Sequence, residues 1–147
     1  MPHPNAIDPK TGKRYGWVDP RAQATAEREL ANSIKLLKRQ AVALEARDKL
    51  LTFTKFTMPD PEAMSDHTRS RYEAARFHAE VAEALEAVER GDIQQLIFCM
   101  PPRHGKTQLA TKHFAAWYSG RHPDHDIAVA SYSDTMAQDM GADTRAI

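Results

Sequence analysis

Five apolar residues, Leu96-Ile97-Phe98-Cys99-Met100, run without alternation straight into Pro101-Pro102. The run is too short for a buried helix, and its lack of a polar residue at every second position fits a strand covered on both faces, as in a parallel sheet. The two prolines close it, because neither carries an N–H for a ladder. Beyond them Leu109, His113, Ala116 and Trp117 recur at helical spacing until Gly120. A polar loop with Pro123 leads to a second apolar run, Ile127-Ala128-Val129-Ala130, and Ser133 or Asp134 stands ready to cap a last helix through Met136 and Met140. Strand, helix, strand, helix in about 50 residues predicts an α/β fold, the start of a doubly wound parallel sheet with two strands present.

Two helices precede that unit. Leu30, Ile34, Leu37, Ala41, Leu44 and Leu51 fall at spacings of 4, 3, 4, 3 and 7 on one stripe, opposite Lys35, Lys38, Arg39, Glu45 and Lys49. The period predicts a helix from about Ala22, packed on its own domain or paired with a partner helix. Thr52 to Pro61 breaks the pattern with two prolines and an aromatic pair, Phe53 and Phe56. A second helix is predicted from about His67 to Arg90, with Phe77, Val81, Leu85 and Val88 inward, Glu80, Glu83, Glu86 and Glu89 toward water, and Gly91 closing it in a left-handed turn. Residues 1–20, with four prolines and two glycines, read as a mostly mobile arm. The division is then an arm over 1–20, a helix and linker over 21–58, and an α/β domain over 59–147.

Composition narrows the function classes. Forty-one percent hydrophobic and 27% charged residues are globular values, and no apolar run approaches the roughly 20 residues of a membrane span. The first residues show no basic segment leading into an apolar one, so no secretory signal is expected. A single cysteine, Cys99, excludes an internal disulfide and a cysteine zinc site, and is read as buried and inert. Lys plus Arg and Asp plus Glu balance at 20 each, but residues 1–50 hold ten basic against six acidic side chains. That net of +4 is compatible with a nucleic-acid contact and equally with a solvated helix face. His122 and His125 are read as part of a solvated turn rather than a metal pair.

The chemistry concentrates at the joint between the first strand and its helix, Met100-Pro101-Pro102-Arg103-His104-Gly105-Lys106-Thr107. A phosphate-binding loop needs a tight turn, inward backbone amides and a helix N-terminus facing the anion. It also needs a lysine for the β- and γ-phosphates and a hydroxyl for Mg²⁺. Gly105, Lys106 and Thr107 supply the end of that pattern, while Met100 stands where its first glycine belongs. With two prolines in the turn, the cradle falls to the amides of Arg103 through Thr107. Arg103 adds a fixed charge able to reach a γ-phosphate as an internal arginine finger. His104 either touches phosphate or points to solvent.

The stretch from Leu96 to Thr107 resembles the ATP-binding loop of phage terminase large subunits, the motors that package DNA into capsids. That family often replaces the first glycine and places an arginine in the loop. The resemblance extends over roughly residues 50–147, through Ala82-Glu83-Ala84-Leu85, Gly91-Asp92, Trp117-Tyr118, Gly120-Arg121-His122-Pro123-Asp124 and Ala130-Ser131-Tyr132-Ser133. It implies a P-loop ATPase domain ahead of an RNase H-like nuclease domain, ATP and Mg²⁺ as cofactors, and the host cytoplasm as location. The implied partners are double-stranded DNA, a small terminase subunit and a portal protein. Lys106 and Thr107 would hold phosphate and Mg²⁺, Arg103 would stabilise the γ-phosphate, and His78 falls in the segment that contacts adenine, without the glutamine often found there. The acidic pair that polarises water and the three nuclease acids lie beyond Ile147 in that pattern, so the chain corresponds to the first third or less of such a protein, and little or no hydrolysis is expected of it. Two rivals remain at this stage: a fragment of another P-loop ATPase or helicase, and a non-enzymatic adaptor docking through the helix of residues 22–51.

Overall fold

A computed structural model describes residues 6–13, 19–64, 66 and 68–147. Five helices carry the fold: α1 (Pro20–Asp48), α2 (Leu50–Thr57), α3 (Arg76–Glu89), α4 (Phe114–Arg121) and α5 (Asp134–Arg145). A single 3₁₀ turn covers Pro61–Ala63, and a π-helical stretch, Thr107–His113, runs directly into α4. Contacts divide the chain into two units, residues 1–37 and 38–147. In the first unit the Asp8 carboxylate accepts from the Lys10 N–H and the Thr11 hydroxyl, and these bonds hold its pKa below the usual carboxylate value. Half of the predicted arm, residues 1–5 and 14–18, lies outside the described residues, as does His67, the expected start of the second helix.

The second unit is built on helix contacts. Leu50, Ala82, Leu85, Leu109 and Trp117 form its core, with Phe53, Val81, Leu96 and Phe114 packed around them. Polar bonds fix the helix ends that this core brings together. Glu86 is buried on α3 and accepts from the Leu50 N–H at 2.9 Å and from Lys49 Nζ at 3.2 Å. It thereby supplies, from 36 residues away, the acceptor that the start of α2 lacks locally. Trp117 Nε1 donates to the carbonyls of Ala46 and Arg47 at 3.1 Å, and Arg121 donates to the Arg47 carbonyl and to Glu89. Together they satisfy carbonyls at the end of α1 that its own ladder leaves open. His122 joins the same knot through Glu89 at 2.8 Å and stacks on His125, so this part of the turn is held rather than merely solvated.

The parallel α/β sheet predicted from the apolar runs does not form. The described residues are 61% helical and 2% strand, and their strand-like pairing within 38–147 is an isolated bridge between Pro59 and Ser70. Leu96–Met100 lies along the first half of α3, beside Phe77, Val81 and Ala84. The 127–130 run lies elsewhere, beside Val88, Phe114 and Tyr118. A ladder needs two extended segments side by side, and these two rest on different parts of the helical scaffold. No backbone–backbone hydrogen bond among the described residues reaches 94–101 or 126–132.

Other expectations shift in smaller ways. The second helix begins at Arg76, and its inward face carries His78, Ala82, Leu85 and Glu86. Glu86, expected in water, is therefore in the core. Gly91 adopts the expected left-handed turn at φ +82° and donates to the Val88 carbonyl. α4 passes Gly120 and ends at Arg121. Cys99, expected to be buried, is exposed. The stripe of α1 is also uncovered: Leu30, Ile34, Leu37 and Leu44 are between 43% and 63% exposed. No helix among the described residues is long and apolar enough to cross a membrane.

Candidate phosphate-binding loop

The turn from Pro101 to Thr107 is bent by two residues in the left-handed region, Arg103 at φ +64° and Gly105 at φ +74°. Glycine adopts this conformation freely, whereas arginine does so at a cost of about 1–2 kcal/mol. The inner side of the turn is anchored. His104 Nδ1–H donates to the Pro102 carbonyl at 2.8 Å, closing the turn on itself. His78 then grips the turn from α3 through a bond between its Nε2 and the His104 carbonyl at 2.9 Å.

The tautomer of His78 follows from its second bond. Nδ1 accepts the N–H of Ala75, the residue before α3, at 2.9 Å, so Nε2 carries the proton and donates. One buried imidazole thus caps the N-terminus of α3 and pins the loop. Gly105 sits directly on this ring: a Cβ there would lie 3.0 Å from His78 Nε2 and 3.4 Å from the Tyr72 hydroxyl. Tyr72 is buried with no partner for its hydroxyl among the described residues, and burial pushes its pKa up. Phe77 packs at 4.1 Å on His78 and at 6.0 Å from His104, completing an aromatic floor.

The amides of the turn are left without backbone acceptors. Among the described residues, none of the backbone N–H groups of Arg103, His104, Gly105, Lys106, Thr107 and Gln108 finds an acceptor; the first bonded amide is Leu109, which donates to the Gly105 carbonyl at 2.9 Å. Arg103, Lys106 and Thr107 are exposed, and their side chains make no hydrogen bond or ion pair with any described residue. Consecutive amides without protein acceptors at the head of a helix, next to two unneutralised cations, are groups of the kind that bind an anion. All the residues singled out in the sequence meet here except His78, which lies behind the loop with both ring nitrogens engaged by protein.

The helix leaving the loop is wound one residue wide of α, with the Phe114 N–H donating to the Leu109 carbonyl. His113, fully buried, accounts for part of this: its Nδ1–H donates to the Gln108 carbonyl at 2.8 Å, five residues back. Gln108 Nε2 lies 3.1 Å from the same nitrogen, which cannot both donate and accept, and the shorter bond to the carbonyl fixes it as donor. His113 Nε2 is left without a partner among the described residues, and burial lowers the pKa of the ring.

The donor set fits a phosphate chain better than a resident metal. No group of three or more His, Cys, Asp or Glu among the described residues could hold a metal ion, and the loop offers Mg²⁺ one hydroxyl, that of Thr107. Mg²⁺ takes several oxygens and is commonly bound through carboxylates together with substrate phosphates. The loop alone therefore does not supply the oxygen set of a Mg²⁺ site. Tyr72 and Ala75 were not legible as site residues, since neither belongs to a spacing pattern; both act through contacts with residues distant in sequence. Comparison with family models, with curated proteins and with solved structures finds no match to this chain.

Proposed function

We propose that the loop from Pro101 to Thr107 binds the phosphates of ATP, and that the chain is an N-terminal part of a DNA-packaging ATPase of the terminase large-subunit kind. The observation that carries the reading is the row of acceptor-free amides from Arg103 to Gln108 beside the free cations of Arg103 and Lys106. On this reading the amides of Arg103 through Thr107 cradle the β-phosphate. Lys106 spans the β- and γ-phosphates, Arg103 meets the γ-phosphate, and Thr107 adds its hydroxyl to the Mg²⁺ that arrives with the nucleotide. His78 is a positioning residue: its bond to the His104 carbonyl ties the loop to α3. No acidic side chain among the described residues bonds Arg103, Lys106 or Thr107. The chain then binds ATP without sustained hydrolysis, and double-stranded DNA is a partner of the complete motor.

Calorimetric titration with Mg-ATP tests this, with Lys106→Ala expected to weaken binding by about tenfold or more. ATP hydrolysis at motor-like rates, abolished by Lys106→Ala, would contradict the binding-only part. A second reading, an adaptor for a small terminase subunit or portal, is favoured by the uncovered stripe of α1. It calls for a nucleotide-independent complex lost in Leu37→Asp and kept in Lys106→Ala.

A further inference from the structure

Leu109, His113 and Trp117 follow one another at intervals of four residues, and all three are buried, at 0%, 1% and 3% exposure. An α-helix overshoots a full turn by about 40° in four residues, so over eight it would set Leu109 and Trp117 about 80° apart. The π-helical stretch Thr107–His113 winds more slowly, through bonds that reach back five residues, and falls short of a full turn over the same interval. Its lag offsets the overshoot of α4, and Leu109 and Trp117 enter one core.

π winding is rare and calls for a local cause. In an α-helix the Gln108 carbonyl would accept from the Lys112 N–H, four residues on; here it accepts from the Nδ1–H of His113, five residues on, at 2.8 Å. The Phe114 N–H repeats the step by donating to the Leu109 carbonyl. Packing alone does not call for an imidazole at this place, because its Nε2 has no partner among the described residues, a cost that leucine would avoid.

We infer that His113 is a positioning residue for the phosphate loop: its bond to the Gln108 carbonyl holds the π register that fixes where Lys106 and Thr107 stand. The inference rests on the phosphate-binding reading of that loop. Trp117 is tied at the far end by the carbonyls of Ala46 and Arg47, and at the near end the Leu109 N–H donates to the Gly105 carbonyl. Were residues 107–113 to rewind as α with Trp117 in place, Leu109 would swing by about 80° and draw Gly105, Lys106 and Thr107 with it. His78 holds the other side of the turn through the His104 carbonyl, so the loop between would lose its present shape.

The experiment is titration of the full chain with Mg-ADP, with the register read without ligand from couplings across the bond between the Phe114 N–H and its acceptor carbonyl. His113→Leu fills the space without the donor, and His113→Asn restores a donor, Nδ2–H, in the place of Nδ1–H. Thermal unfolding checks that each variant folds, and His113→Gln, whose amide reaches past the Nδ1 position, replaces His113→Leu if that variant does not. The inference predicts that His113→Leu moves the Phe114 bond from Leu109 to Ala110 and weakens Mg-ADP binding by about tenfold or more, while His113→Asn keeps the bond and binds within about threefold of the wild type. A folded His113→Leu that keeps the Leu109 bond or binds like the wild type would overturn this inference alone, as would a folded His113→Asn as weak as His113→Leu. A wild type that binds no Mg-ADP would overturn the phosphate reading and the inference together.

Discussion

His78 Nε2 lies 2.9 Å from the carbonyl oxygen of His104, and this bond ties α3 to the loop that carries Lys106. Because the same ring accepts from the Ala75 N–H, removing it opens two polar groups at once. His78→Phe keeps the ring and loses both bonds. Thermal unfolding should show a loss of about 1–3 kcal/mol, the usual cost of orphaned buried polar groups. Phosphate affinity should fall with it, although His78 touches no phosphate. An unchanged melting temperature would mean that the bond does not hold the loop.

Gly105 and Gly91 share a left-handed backbone but differ in surroundings. A Cβ at Gly105 would meet His78 Nε2 at 3.0 Å, whereas one at Gly91 would meet nothing within 4 Å. Gly91→Ala should cost about 1 kcal/mol in backbone strain alone. Gly105→Ala should cost more, because the His78 ring must shift as well, and should also weaken phosphate binding. Equal losses in denaturant titrations would show that the ring yields freely.

His113 makes stability depend on pH in a stated direction. Its pKa lies below the ordinary 6.5, mainly because burial disfavours the charged ring, so the unfolded chain binds a proton that the folded chain refuses. Its share of stability is full above pH 6.5 and is lost as pH falls from there toward the folded pKa, at a slope of at most about 1.4 kcal/mol per pH unit. His113→Gln should remove that share of the slope in melting curves taken between neutral and mildly acid pH. A wild type and variant with parallel curves would refute it.

Glu89 acts at lower pH. Burial would raise its pKa, but the bonds from Arg121 and His122 outweigh it and hold the carboxyl below its ordinary 4.5. The stability it confers is present above that value and is lost as pH falls through the folded pKa. Glu89→Gln should therefore cost stability at neutral pH and have progressively less effect toward strong acid, as read from unfolding midpoints across that range.

Helices α1, α3, α4 and α5 were legible in the sequence because they rest on local rules, whereas α2 forms over Leu50–Thr57, where Thr52 to Pro61 read as a break. Period 3.6 marks α1, α3 and the segment after Thr107, and Gly105 marks the turn, where it adopts a left-handed φ of +74°. What failed depends on distant partners. Leu96–Met100 reads as a strand, yet pairing needs a neighbour that its own residues do not specify. Glu86 has the spacing of a solvent-facing residue, but the start of α2 draws it inward. The stripe from Leu30 to Leu44 shows an amphipathic helix and is silent on whether anything covers it. His78 is placed by the resemblance in an adenine-contacting segment, and its grip on the loop shows only once His104, 26 residues on, is set against it.

The central claim is that the amides from Arg103 to Gln108 receive phosphate. The direct measurement is the amide spectrum of the labelled chain during titration with Mg-ADP and, separately, with inorganic phosphate. The account predicts shifts concentrated at residues 103–108 with both ligands, and their loss in Gly105→Val and Lys106→Ala. Shifts centred elsewhere, or none at saturating nucleotide in a folded chain, would contradict it.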